Sequence, residues 1–197
     1  MIVALFGGSF DPVHCGHVAL VRHVLEHGLA DRVVVVPNTR SPWRDEPLAA
    51  AGNRLAMCRL AFAGMPTVEV DGREAVAGRP AWTVDTLAAL VVQHPGTQWR
   101  LVIGADHLAT FGAWRDSQRI LEMAELLVLG RSGAASDAAA IAAAGLPSGR
   151  VVMAPPFDHP VSGSIVRAIL CAGGDGASLL PPAVAAYIAA RGLYRVA

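Results

Sequence analysis

Two histidines, His14 and His17, stand three residues apart in the stretch GGSFDPVHCGH, which runs from Gly7 to His17. Gly7, Gly8 and Ser9 open that stretch, directly after the apolar run IVALF at 2–6. Imidazoles at this spacing can project together from the start of a helix. Glycines let a ligand come close to backbone N–H donors. A helix beginning near Cys15 or Gly16 aims its positive dipole end at the same space. Together these parts make a cradle for a phosphoryl group that gains negative charge. On spacing alone two other readings stay open, a metal pair or a capped turn. A metal pair wants a third ligand, and the nearest acid, Asp11, precedes Pro12 in what reads as a turn.

A second polar group lies far along the chain in SGSIVRAIL, residues 162–170. Ser162 suits an N-cap, Ser164 adds a hydroxyl inside the first turn, and Arg167 follows close to the same helix start. Hydroxyls, first-turn N–H groups and a guanidinium suit phosphate oxygens. A capped helix with a solvated arginine is the plainer alternative. Gly163 reads as a residue that loosens the helix start.

The elements that must position these groups are legible in the apolar pattern. The chain has 197 residues, 53% hydrophobic and 16% charged, enough for one domain with a full core. Sixteen Lys+Arg balance 16 Asp+Glu, so no global field points to nucleic acid or an anionic membrane. Any anion must be held by a local site. Cys15, Cys58 and Cys171 form no C-x-x-C pair, which argues against a zinc knuckle or disulfide framework and fits reduced thiols in the cytoplasm. The first apolar run is too short for a signal-peptide core, and no stretch approaches a membrane span. A soluble, cytoplasmic protein is expected.

Continuously apolar runs at 2–6, 32–37, 67–71, 99–104, 125–130 and 150–154 read as strands covered on both faces. Helix-like segments alternate with them. HVALVRHVLEH sets Val18, Val21, Val24 and Leu25 against Arg22 and Glu26, AGNRLAMCRLAFAG repeats the pattern, and TVDTLAALVVQHPG begins with Thr/Asp cap chemistry. The Ala-rich segment 133–145 reads as a surface helix. Alternation of this kind predicts an α/β class fold with a doubly wound, mostly parallel sheet of Rossmann-like form. Two consecutive helices make a small C-terminal extension, with Pro182 in a first turn and Gly192 as a C-terminal cap. The expected organisation is a single domain over 1–197, an α/β core at 1–160 followed by helices at 161–197.

The quoted motifs resemble those of the nucleotidylyltransferases, relatives of the HIGH-motif class I aminoacyl-tRNA synthetases. GGSFDPVHCGH is similar to their first signature and SGSIVRAIL to their second. Within that superfamily the chain resembles the nicotinate mononucleotide adenylyltransferases from end to end. VPNTRSPWR, RPAWTVDTL, IGADHLATFGAW and LLPPAVAAYIAARGLYR each match a segment of that family. In the first of these, Ser41 and Trp43 depart from the family's proline and histidine.

The resemblance implies transfer of the adenylyl group of ATP to nicotinate mononucleotide, releasing pyrophosphate, with Mg²⁺ carried mainly on the ATP phosphates. It implies catalytic roles for His14, His17 and Arg167. It gives ATP contacts to Gly7, Gly8, Ser9, Phe10, Gly104, Asp106, Ser162 and Ser164, as well as to Arg167. Asp106 would accept the ribose hydroxyls or cap the helix HLATF. Mononucleotide contacts fall to Arg44, Trp82, Thr83, Trp114 and Arg131, with Trp114 as the stacking surface; as a bare residue it reads equally as core. No protein-held metal, nucleic acid or membrane is expected, and a homo-oligomer is compatible with the sequence. Rival readings are adenylyl transfer to nicotinamide mononucleotide or phosphopantetheine, and a non-catalytic nucleotide-binding module. His23, His27, His94, His107 and His159 read as surface residues.

Overall fold

Each of the six apolar runs forms a strand in the computed structural model, which describes residues 1–39, 47–77, 81–130 and 144–195. The strands are β1 (Ile2–Gly8), β2 (Arg32–Pro37), β3 (Val68–Val70), β4 (Gln98–Gly104), β5 (Ala124–Leu129) and β6 (Val151–Met153). They make one parallel sheet in the order β3-β2-β1-β4-β5-β6. Ile2 lies opposite Gln98, Leu101 opposite Leu126, and Leu127 opposite Val152. This is the doubly wound order, and the direction of winding reverses between β1 and β4, where ligands of such sheets bind beyond the strand ends. Val33–Val36 and Leu126–Leu129 are buried along their whole length, because helices cover both faces of the sheet.

The helices are α1 (Cys15–Glu26), α2 (Ala51–Phe62), α3 (Arg73–Val76), α4 (Thr83–Gln93), α5 (Ala105–Leu108), α6 (Ser117–Met123), α7 (Gly163–Cys171) and α8 (Pro182–Arg191). In α1, Val21 and Val24 are buried while Arg22 and Glu26 face solvent, as the periodicity requires. Helix α8 begins at Pro182 and ends at Gly192, whose φ of +61° is the left-handed cap that glycine adopts without a Cβ penalty.

Three local expectations are revised. Strand β1 runs through Gly8, so Gly7 and Gly8 belong to its end and only Ser9 lies past it. Helix α4 has Trp82 as its N-cap and no side-chain capping bond, so the Thr83/Asp85 cap chemistry is not used. β3 is three residues long, two fewer than its apolar run suggested. The Ala-rich stretch 133–143 lies outside the described residues.

The chain divides into two compact units. The first contains Met1–Phe6, His23–Val34 and Trp82–Asp158. There Arg100, on β4, bonds Glu125 of β5 at 3.0 Å and the Leu29 carbonyl at 2.6 Å. The second contains Gly7–Arg22, Val35–Ala81 and His159–Ala197. In it α8 packs on α2, and the Tyr187 hydroxyl donates to Asn53 Oδ1 at 2.9 Å.

Candidate active site

In the second unit the turn between β1 and α1 is held from all sides. Phe10 has a left-handed backbone, φ +48°, unusual for a bulky side chain. A Cβ on Gly8 would come within 3.2 Å of the Phe10 ring, so glycine is what lets that ring fold back. The Phe10 ring then meets His17 edge-on, with centroids 4.9 Å apart. Asp11 is buried, and its carboxylate accepts N–H bonds from Leu48 (2.8 Å) and Ala49 (3.1 Å) and the Tyr194 hydroxyl bond (2.7 Å). Arg54, fully buried on α2, donates to the carbonyls of Ala49, Ser9 and Thr39. A buried cation is tolerated when its donors are satisfied in this way.

The two signature histidines stack on one another, centroids 3.7 Å apart. His17 Nδ1 accepts the backbone N–H of His14 at 3.2 Å. The proton of the neutral His17 ring therefore sits on Nε2, which makes that nitrogen a donor. His14 is only 5% exposed, and its Nδ1 has no hydrogen-bond partner. Burial first, then the nearby His159 and Arg167, push the His14 pKa down to about 4. Burial, with His14 second, also holds His17 well below the usual imidazole range. Both rings are neutral at pH 7 in the unliganded chain. Burial and the neighbouring would-be cations both disfavour the imidazolium form. Of the first-turn amides of α1, that of Cys15 donates to the Leu179 carbonyl and those of His17 and Val18 to the His14 carbonyl. The donors left for a ligand thus include imidazoles, more than the bare helix terminus that the dipole argument favoured.

Helix α7 brings the second signature to the same turn. Ser162 is its N-cap and accepts the Ile165 N–H at 3.4 Å. Arg167 reaches back along the helix, donating from Nη1 to the Asp11 carbonyl at 2.8 Å, with Nη2 3.5 Å from Ser164 Oγ. A Cβ on Gly163 would lie 3.1 Å from Arg167 Nη1. Gly163 is therefore more than a loose helix start, since it leaves room for the guanidinium to lie over the first turn.

The first unit carries the other candidates. Asp106 is in the first turn of α5, whose N-cap is Gly104 with no side-chain bond, so Asp106 does not cap that helix. Its Oδ1 occupies the space a Gly104 Cβ would need, so Gly104 admits the carboxylate to the end of β4. Trp114 is half-buried against Phe111 (5.5 Å between centroids) and His107 (6.0 Å). Trp82 and Thr83 open α4, and the Arg115 guanidinium lies over the Trp82 ring, 5.2 Å from its centroid.

The cytidylyltransferase-like family matches residues 5–169. A probable nicotinate-nucleotide adenylyltransferase of Bordetella avium is 42% identical over 198 aligned residues, covering 99% of this chain and 98% of that protein. The chain belongs to the nicotinate-nucleotide adenylyltransferase family. A similarly named protein of Pseudomonas entomophila is 35% identical over 98% of this chain and 94% of its own length. The nicotinic acid mononucleotide adenylyltransferase of Plasmodium falciparum, in its complex with NaAD, shares the fold: TM-score 0.79 at 17% identity, covering 98% of this chain and 97% of that one. Its complex with APC gives 0.74 at the same identity, covering 98% of this chain and 96% of that one.

As a nicotinate-nucleotide adenylyltransferase, the chain gathers His14, His17, Phe10, Gly8, Ser162, Ser164 and Arg167 in one unit, with Gly104, Asp106, Trp82, Thr83 and Trp114 in the other. Arg44, with its neighbours Ser41 and Trp43, and Arg131 lie outside the described residues. Four residues in or packed near the turn between β1 and α1 have contacts that the sequence does not announce. Asp11 read as a turn acid and His159 as surface, while Arg54 and Tyr194 were assigned nothing. The D-P step of the first signature is the sequence signal that could have marked Asp11. Among the described residues no group of three or more His, Cys, Asp and Glu could hold a metal ion, and the Asp11 carboxylate is already occupied by three donors. Among them, too, no helix is long and apolar enough to cross a membrane.

Proposed function

We propose that this chain joins ATP and nicotinate mononucleotide, giving nicotinate adenine dinucleotide and pyrophosphate, and that residues 1–197 act as one catalytic domain. The observation that carries the reading is the bond from Arg167 to the Asp11 carbonyl, which joins the arginine of the second signature to the turn that presents both histidines.

The mononucleotide phosphate is the nucleophile, already ionised at neutral pH, so the reaction needs no general base and no covalent enzyme intermediate. What remains is to hold two anions in line at the α-phosphorus and to neutralise the charge that builds there. His17 Nε2–H and His14 donate to the α- and β-phosphate oxygens; Arg167, Ser162 and Ser164 take the β- and γ-phosphates. Gly7, Gly8, Ser9 and Phe10 supply the close backbone surface. Asp106 accepts ribose hydroxyls, and Trp114, Trp82 and Thr83 receive the pyridine ring. Arg44 and Arg131 remain part of the proposal for the mononucleotide. Mg²⁺ would come on the triphosphate, held mainly by phosphate oxygens and water, and would supply charge neutralisation there. The three unpaired cysteines fit a reducing, cytoplasmic setting.

Arg115 favours the acid over the amide. A guanidinium over Trp82 places positive potential beside the residues given to the pyridine ring, which suits a ring carboxylate more than a carboxamide. The test supplies ATP and Mg²⁺ with nicotinate mononucleotide, nicotinamide mononucleotide or phosphopantetheine in turn and follows pyrophosphate release. Nicotinate mononucleotide should give the highest kcat/KM. Preference for phosphopantetheine, or no release with any acceptor, overturns the reading.

A further inference from the structure

A third imidazole, His159, stands at the phosphate turn, although it belongs to neither signature. The side chain that Gly16 lacks would lie 3.0 Å from His14 Nδ1 and 3.2 Å from His159 Nδ1. Two rings thus close on one point at the start of α1, and only a glycine there admits both. His159 is half-buried in the same compact unit as His14, His17 and Arg167. Its Nδ1 accepts the Val161 N–H at 3.3 Å, so the neutral ring carries its proton on Nε2, the same donor tautomer as His17. Pro160 follows directly, and its fixed φ restricts the approach to the Ser162 cap.

The surroundings point to a ligand. His14 is nine-tenths buried, yet its Nδ1 has no partner beside this second ring. Three groups able to carry positive charge, His14, His159 and Arg167, are close enough for the latter two to depress the first. The Asp11 carboxylate is turned to Leu48, Ala49 and Tyr194. Such a group of donors is matched by a polyanion. His159 also leads into α7, the helix that presents Ser162, Ser164 and Arg167.

We propose that His159 is a third phosphate-binding imidazole, donating from Nε2 to the β- and γ-phosphates of ATP and to the departing pyrophosphate. This rests on the adenylyl-transfer reading above and assigns the leaving-group side of that reaction. Its chemistry is binding alone, with no bond made or broken at the ring.

The rival is a loop histidine that merely accepts the Val161 N–H, and side-chain geometry separates the two. Asparagine can imitate the Nδ1 acceptor but does not reach the Nε2 position, whereas glutamine places an amide N–H near it. His159→Ala and His159→Asn should each raise KM for ATP and weaken pyrophosphate inhibition by roughly 10-fold, the effect of one hydrogen bond to a charged group. KM for nicotinate mononucleotide should not move, and His159→Gln should stay within about threefold of the unaltered chain. Calorimetric binding of Mg²⁺-pyrophosphate to the Asn and Gln variants, which alter volume little, checks the same ranking without turnover. Rescue by Asn and failure by Gln, or unchanged ATP and pyrophosphate constants in His159→Ala, overturns the proposal. If His14→Ala loses turnover in that case, the adenylyl-transfer reading stands alone. If the unaltered chain releases no pyrophosphate with any acceptor, that reading itself has failed.

Discussion

The Tyr194 hydroxyl donates a 2.7 Å hydrogen bond to Oδ1 of Asp11, 183 residues earlier in the chain. Burial and the bond to Asp11 raise the phenol pKa, so this oxygen stays protonated and remains a donor. Asp11 in turn offers its carbonyl to Arg167, so the phenol acts on the guanidinium through one residue.

Removing that hydroxyl tests the linkage. Tyr194→Phe leaves a buried carboxylate oxygen one donor short, which should cost about 2 kcal/mol of folding stability. Urea unfolding measures it, and kcat should fall alongside as Arg167 loses its fixed acceptor. An unchanged urea midpoint would show that the bond is not a structural tie.

Gly16→Ala puts a methyl group 3.0 Å from His14 Nδ1 and 3.2 Å from His159 Nδ1. One ring must move, and displacement of a transition-state donor should lower kcat by about 100-fold. Circular dichroism should show the fold retained. Gly52→Ala, with nothing within 4 Å of the new Cβ, is the matched control and should change kcat little. Equal kcat in the two variants would mean that ring placement does not matter.

Acid should destabilise the unliganded protein earlier than its carboxylates alone dictate. His14 protonates at about 4 when folded, against 6.5 for an unperturbed ring. Between those values the unfolded chain binds more protons, so stability present above 6.5 is lost as pH falls toward 4. The full effect is about 3 kcal/mol, and the lowered pKa of His17 acts in the same direction. Urea midpoints across this range should fall with pH, and His14→Gln should flatten the slope. An identical slope in the variant would remove His14 as the cause.

Arg115→Ala should narrow the preference for nicotinate over nicotinamide mononucleotide. Arg115 is more than half exposed and also lies 3.8 Å from Asp116, so the effect is modest, about threefold in the ratio of kcat/KM values. Competition of both acceptors for one ATP pool measures the ratio directly. No change would place the acid selectivity in other residues.

The sheet was legible because each strand announces itself as an uninterrupted apolar run, and the Pro182 and Gly192 boundaries because those residues have few places to go. The Ser162 cap was legible for the same reason. Asp11 and Arg54 were not, since each owes its contacts to residues distant in sequence. Arg54 sits in a helix whose polar residues read as a solvent face; only the carbonyls of Ser9, Thr39 and Ala49 around it explain a buried cation. Gly163 looked permissive because sequence does not show a guanidinium folding back over it. At α4 local cap chemistry was present but unused.

The ties from Leu179 to Cys15 and from Tyr194 to Asp11 have a consequence for biosynthesis. Translation is vectorial, so the histidine turn leaves the ribosome well before these fasteners, Tyr194 lying 183 residues after Asp11. A nascent chain lacking them has both imidazoles without two of the bonds that hold their turn, and that set of bonds is complete only once residue 194 has emerged from the exit tunnel.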